Sequence, residues 1–416
     1  MDVSIADVLG EVALVLAVSA LFGAGARRLG QPAVIGQILA GIALGPTLLG
    51  RLPGHLESRL FPHAALGYLD VLAQVAVVIF TFTVGYELRW PARDRHGRAP
   101  LLVAAGALLV PMVLGAGVAL VGRSGFEAAG QTHITRSFVL FMAVALSITA
   151  LPVLAAIVRE RGIAGTVPGT IAVSAAGLMD VAAWLVLALA LTSAAGRPGR
   201  SWPETVGLFA AFVAFMLLAV RPALRWWAGR RALTFSLLPL ALVIAFGSAW
   251  VTTSLGVQAV FGGFIAGLVM PRVDGVPDAD VLSTTQDLGG LLLPVFFVVT
   301  GLSTDVSDLG GSAFVLLAVV CVLGVAGKIG PAYAASRLSG LTPRESSTVA
   351  VLVNARGLTE LIALNAALQT GLIGQRLFSI LVVMALLLTI ATTSLLRFVR
   401  LPAEQAAQRA PAAIRA

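Results

Sequence analysis

The sequence predicts an all-α polytopic membrane protein with thirteen transmembrane helices, laid out as six spans, one linker span and six more in inverted order. Three observations predict it. The composition is too apolar for a soluble domain, apolar runs of membrane-crossing length alternate with arginine-bearing loops, and two motifs recur in the same order seven spans apart. Hydrophobic residues make up 58% of the chain and charged residues 12%, with a mean hydropathy of +0.96. That balance excludes a soluble enzyme or a nucleic-acid-binding module, because no water-soluble fold of this size needs so much apolar surface. The net charge of +8 then reads as topology, with the lipid bilayer and not nucleic acid as the partner. The start, Met1 to Asp7, lacks a basic region before its apolar run, so no cleavable signal is expected. The lone Cys321 lies in an apolar stretch and reads as a packed core thiol.

The spans fall at approximately 6–26, 31–48, 67–87, 100–121, 137–158, 167–193, 204–220, 232–252, 256–271, 286–302, 312–336, 345–371 and 376–398. Most approach the roughly twenty residues that cross a hydrocarbon layer. The first repeat covers about 6–193, the linker helix about 204–220 and the second repeat about 232–398, within one transmembrane domain. Residues 399–416 read as a short cytoplasmic tail with no regulatory domain. The fourth, seventh and thirteenth spans carry no internal charge and are expected to serve as scaffold. The stretch 49–66, with Arg51, His55, Glu57, Arg59 and His63, reads as a loop with a surface helix. Glu11, Asp70 and Glu87 lie near span ends, where they could reach headgroups, and His55, His63, His96 and His133 read as solvated loop residues. Arginine is concentrated in alternate loops, among them Arg27, Arg28, Arg93, Arg95, Arg159, Arg161, Arg221 and Arg225. The positive-inside bias predicts an outside N-terminus and a cytoplasmic C-terminus in the plasma membrane.

Gly36-Gln37-Ile38-Leu39-Ala40-Gly41 in the second span is similar to Gly262-Gly263-Phe264-Ile265-Ala266-Gly267 in the ninth. Phe80-Thr81-Phe82-Thr83-Val84-Gly85 in the third is similar to Phe296-Phe297-Val298-Val299-Thr300-Gly301 in the tenth. Seven is odd, so the copies cross in opposite directions. Inverted repeats are a transporter architecture, with the site where the copies meet near the midplane.

The same offset pairs the fifth span with the twelfth. The fifth contains Ser147-Ile148-Thr149-Ala150-Leu151-Pro152, and Pro152 removes a backbone donor, so the helix should break there. The twelfth contains Asn354-Ala355-Arg356-Gly357-Leu358-Thr359-Glu360, whose Gly357 and polar cluster allow a second unwound stretch. Two crossing broken helices place half-helix ends in the bilayer, with freed carbonyls favouring a cation. Two charges lie on neighbouring spans: Asp180, and Lys328, the only lysine of the chain. Arginine stays protonated in essentially any protein, whereas a desolvated lysine can lose its proton. An isolated charge at mid-membrane costs roughly 3 kcal/mol, so Asp180 and Lys328 are the expected partners. Arg356 and Glu360, four apart, can pair across one helical turn and read as structural or gating.

On these residues the chain resembles the monovalent cation:proton antiporter-2 family, which includes Kef-type and Nap-type exchangers. The likeness runs through the second-span glycine motif, Ser147-Ile148-Thr149-Ala150, Asp180, Pro294-Val295-Phe296-Phe297, Gly327-Lys328 and Asn354 to Leu361. The resemblance implies a Nha/Nap-like antiporter fold with a scaffold and a moving core, a homodimer and elevator-like alternating access. It implies that Asp180 binds Na⁺ or K⁺ in competition with a proton, that Lys328 is the core lysine and that Thr149 is the polar residue of the unwound helix. Ser147, Asn354, Arg356 and Glu360 support the site, and no cofactor is needed beyond the transported ions. One residue departs from the pattern. Met179 stands directly before Asp180, where the family usually carries Asp, Asn or Gln, and a thioether is a poor ligand for a hard cation. The alternative function is an ion-coupled transporter of an organic anion or metabolite, with Arg356 and Lys328 facing the anion. An intramembrane aspartyl protease needs two facing aspartates, and only Asp180 is central.

Overall fold

The computed structural model describes residues 5–51, 60–87, 98–131, 133–163, 166–194, 202–230, 237–273, 276–307 and 310–398. Its helices in chain order begin with α1 (Ile5–Arg28), α2 (Ala33–Leu44), α3 (His63–Glu87), α4 (Ala99–Val121), α5 (Arg123–Ala128), α6 (Arg136–Ser147), α7 (Leu151–Glu160) and α8 (Val167–Ala194). They continue with α9 (Trp202–Phe215), α10 (Arg221–Arg230), α11 (Leu238–Ser254), α12 (Ala259–Val269) and α13 (Ala279–Leu302). The last four are α14 (Gly311–Leu338), α15 (Pro343–Val353), α16 (Leu358–Gln369) and α17 (Gln375–Phe398). Among the described residues, 10 helical segments are long and apolar enough to cross a membrane, and three shorter apolar helices accompany them.

Local chemistry explains where several of these begin. Helix α13 starts seven residues before the predicted span because Asp278 caps it, its carboxylate accepting from the Val281 amide at 3.0 Å. Helix α15 opens on a capping box in which Thr342 and Glu345 each bond the other's backbone. The linker helix runs further than 204–220. A π turn over Met216–Val220 joins α9 to α10, so Arg221 and Arg225 stand on helix and not in a loop. The π turn leads directly into Pro222, a residue whose missing N–H would break a regular ladder. One two-residue hairpin, β1 (Arg272–Val273) with β2 (Val276–Pro277), departs from the all-α expectation. The surface helix expected near His55, Glu57 and Arg59, the loop with Arg93, Arg95 and His96, and the tail 399–416 lie outside the described residues.

The chain divides into two compact units. The first comprises Met1–Arg89, Ala188–Asp308 and Asn365–Ser379. In it α2 packs on α1 and α13, and α3 packs on α12 and α13. A Cβ added at Gly41 would run into the Val298 carbonyl and Gly301, and one at Gly267 would run into the Phe82 carbonyl and Gly85. These are corresponding glycines of the repeated motifs, so one contact is carried onto the other by the offset of the repeat. The same holds for Gly36, whose backbone lies against Phe22 of α1, and Gly262, whose backbone lies against Ser248 of α11. Glu11 does not reach headgroups. It is buried on the stripe of α1 that includes Val15, Ser19, Gly23 and Ala26, because a spacing of about four residues keeps those positions on one helical face.

The second unit comprises Trp90–Leu187, Leu309–Leu364 and Ile380–Ala416. Its core cluster gathers Val103, Ala107, Leu154, Ala172, Ala176, Met179, Ala332, Val349 and Leu352. The uncharged fourth and thirteenth spans both pack within this unit. Helix α4 packs on α6 and α14, and α17 sends Thr392 to the backbone break between α15 and α16.

Candidate functional site

The expected site residues Ser147, Thr149, Met179, Asp180, Lys328, Asn354, Arg356 and Glu360 are all buried in the second unit. Both expected breaks are present. Helix α6 ends at Ser147 and α7 begins at Leu151, with Pro152 as its second residue. Proline is tolerated in a first turn because its absent N–H would have had no helical partner, so Pro152 starts the second half-helix more than it kinks the first. Helix α15 ends at Val353 and α16 begins at Leu358. Gly357 between them has φ 152°, a conformation that L side chains rarely adopt, and a Cβ there would also lie 3.1 Å from Val153.

The two breaks cross. The Ala150 amide donates to the Ala355 carbonyl at 2.9 Å, the Thr149 hydroxyl donates to the Val353 carbonyl at 3.1 Å, and the Thr359 hydroxyl donates to the Thr149 carbonyl at 3.3 Å. An α-helix leaves its last four carbonyls without internal partners. At the end of α6, two cations supply the missing donors. Arg356 donates to the carbonyls of Ala145 at 2.8 Å and Leu146 at 2.6 Å. Lys328 donates to those of Ser147 and Ile148, both at 2.6 Å. The positive charges meet the negative end of the helix dipole, where they are favourable. At the end of α15 the donors are neutral: the Thr149 hydroxyl and the Ala150 amide.

Lys328 therefore makes no ion pair with Asp180 among the described residues. Its ammonium is held by the freed carbonyls, an acceptor set that side-chain pairing rules do not count, although the two charges remain in electrostatic range. Arg356 makes the expected bond to Glu360, 2.8 Å from Nη1 to Oε1 with both side chains buried. Asn354 donates to the Thr392 hydroxyl at 2.9 Å. Ser147 turns its own hydroxyl back to Val144 and contributes through its carbonyl. Met179 lies against Thr149, 3.9 Å from sulfur to hydroxyl oxygen.

That leaves Asp180. It is 1% exposed, and its Oδ2 has no hydrogen-bond partner. A cavity of about 10 Å³ adjoins it, lined by Ile148, Asp180, Ala183, Trp184, Leu187 and Thr359. That volume is near the lower limit for one water molecule. Sequence reading missed Trp184, Thr359 and Thr392. Trp184 was findable, since four residues beyond Asp180 is the same helical face. Thr359 lies inside the motif of the twelfth span, where Arg356 and Glu360 carry the stronger signal. Thr392 lay in an uncharged span with no signal of its own.

Comparison with known proteins follows the same lines. The chain is 36% identical over 409 residues to Cation/H(+) antiporter 20 of Arabidopsis thaliana, a match covering 94% of this chain and 48% of the relative, so it spans about half the length of that protein. It is 32% identical over 394 residues to Na(+)/H(+) antiporter NhaS4 of Synechocystis sp., covering 93% of this chain and 96% of the relative. The sodium proton antiporter MjNhaP1 of Methanocaldococcus jannaschii superposes with a TM-score of 0.69 at 15% identity, covering 93% of this chain and 96% of that one, which establishes a shared fold. The transmembrane sodium/hydrogen exchanger model matches residues 14–400, and with the broken-helix crossing already described, this chain belongs to the sodium/hydrogen exchanger family, a family of transporters and not of enzymes.

Proposed function

We propose that the protein is a secondary antiporter that exchanges Na⁺ or K⁺ for H⁺, with cation and proton competing for Asp180. The observation that carries this reading is a buried carboxylate with an unpartnered oxygen beside a small cavity, at a crossing whose helix carbonyls already have donors. A buried carboxylate in that position needs a positive partner, and either a proton or an alkali cation can serve. Lys328 and Arg356 supply fixed donors to the α6 end, and Thr149 ties the two breaks together. Asn354, Glu360 and Ser147 support the crossing. The antiporter names of the relatives favour the same chemistry. Both cations are engaged with backbone carbonyls, which weighs against an organic anion as the substrate.

The cycle we infer is elevator-like alternating access in a homodimer of thirteen-span protomers. Each protomer has a 6+1+6 inverted repeat, an outside N-terminus and a cytoplasmic C-terminus in the plasma membrane. The reciprocal glycine contacts of the first unit support the repeat, and the arginine bias supports the orientation. The test is proton flux in liposomes of purified protein with a pH dye, Na⁺ and K⁺ being supplied separately. Cation-dependent flux is expected in the parent and none in Asp180→Asn. Equal flux in the two sinks the reading.

A further inference from the structure

We propose that Thr359 is a ligand of the transported cation, its hydroxyl oxygen joining the Asp180 carboxylate. The inference rests on the antiport reading and goes beyond it in naming a second oxygen ligand. The hydroxyl expected from sequence was that of Thr149. It is spent on the Val353 carbonyl at 3.1 Å and faces the sulfur of Met179, and Thr149 is absent from the cavity lining. Thr359 does line the cavity with Asp180. It is 2% exposed, and its hydroxyl makes one long bond, 3.3 Å to the Thr149 carbonyl. A hydroxyl that donates one proton keeps two acceptor lone pairs, which suit a hard cation that prefers oxygen.

The rest of the cavity offers no comparable ligand. The Ile148 carbonyl holds Lys328 at 2.6 Å, and Ala183, Trp184 and Leu187 bring no carboxylate or hydroxyl. Met179 occupies the place next to Asp180 in sequence without supplying oxygen.

The test compares Thr359→Val, Thr359→Cys and Thr359→Ser with the parent in liposomes, measuring the apparent KM and kcat for Na⁺ and K⁺ separately. Cation-dependent shifts in melting temperature of the purified proteins give a readout independent of transport. Thr359→Val is expected to raise the apparent KM of the transported ion about tenfold with little change in kcat, as for one lost bond to a charged group. Its cation-dependent thermal shift should fall in parallel, and Thr359→Ser should restore both. Thr359→Cys keeps the side-chain volume while replacing oxygen by sulfur, so it carries the test if the valine variant does not fold, with the same rise expected. A parental KM and thermal shift in the valine or cysteine variant overturns the proposal. Asp180→Asn separates the two levels. If it keeps flux and thermal shift, the antiport reading falls; if it loses both while the Thr359 variants behave as the parent, only the Thr359 assignment falls.

Discussion

Single side chains decide the chemistry, and Arg356 holds more of the crossing than any other. It satisfies two carbonyls of α6 and one carboxylate at once. Arg356→Gln leaves Glu360 buried without a cation, and breaking a buried pair from one side costs about 3–5 kcal/mol. A large drop in melting temperature is expected, and the double variant with Glu360→Gln should recover part of it, because the orphaned charge is gone. Independent, additive losses in that mutant cycle would mean the pair is not coupled. Met179 makes a contrasting case. Its thioether fills space against Thr149, so Met179→Leu, which conserves volume, should cost less than about 1.5 kcal/mol and leave cation-dependent proton flux near the parental rate. Loss of cation-dependent flux in Met179→Leu would show the sulfur itself to matter. At this scale the residue types were legible in the sequence and their partners were not. Asp180 and Lys328 stand out as charges in apolar runs, but the freed carbonyls that take the lysine have no side-chain signature.

Helices pack here through backbone approach at glycine. Gly41 on α2 and Gly267 on α12 each lie where a Cβ would strike the backbone of the neighbouring helix. Gly41→Ala and Gly267→Ala should therefore lower the melting temperature alike, whereas Gly10→Ala and Gly25→Ala, with open space around them, should leave it unchanged or raise it. Unequal losses at Gly41 and Gly267 would argue against equivalent roles in a repeat. The break between α15 and α16 tests a different term. Gly357→Ala combines an unfavourable φ with contact against Val153, and strain of this kind costs of order 1–3 kcal/mol. Thermal melts should register that loss. Positions of breaks and of the glycine motifs were readable in sequence, because proline, glycine and repetition are one-dimensional signals. Helix ends were less so: α13 and the linker both run past the apolar stretch, α13 because a capping aspartate starts it where hydropathy is low.

The whole molecule is governed by the bilayer. Lipid offers no donor or acceptor, so every unwound segment must find partners within the protein, and the bonds described at the crossing all lie within the second unit. The proposed orientation rests on arginine placement and is open to direct measurement. In a Cys321→Ser background, Ser339→Cys in the turn after α14 should react with an impermeant thiol reagent only from the cytoplasmic side. Gly310→Cys, ahead of α14, should react only from outside. The opposite pattern would reverse the topology.

The sequence by itself determined that the chain lives in a membrane, that two of its helices are interrupted, and that Asp180, Lys328 and Arg356 are the charges to explain. Composition, proline, glycine and isolated charge act locally and survive in one dimension. Only the tertiary structure decided which donor meets which acceptor: that Lys328 and Arg356 cap α6, that Thr149 turns to the other break, and that Thr359 comes to stand beside Asp180. Those pairings depend on how the rims of two breaks face each other, and residues some two hundred positions apart meet there for reasons no local pattern encodes.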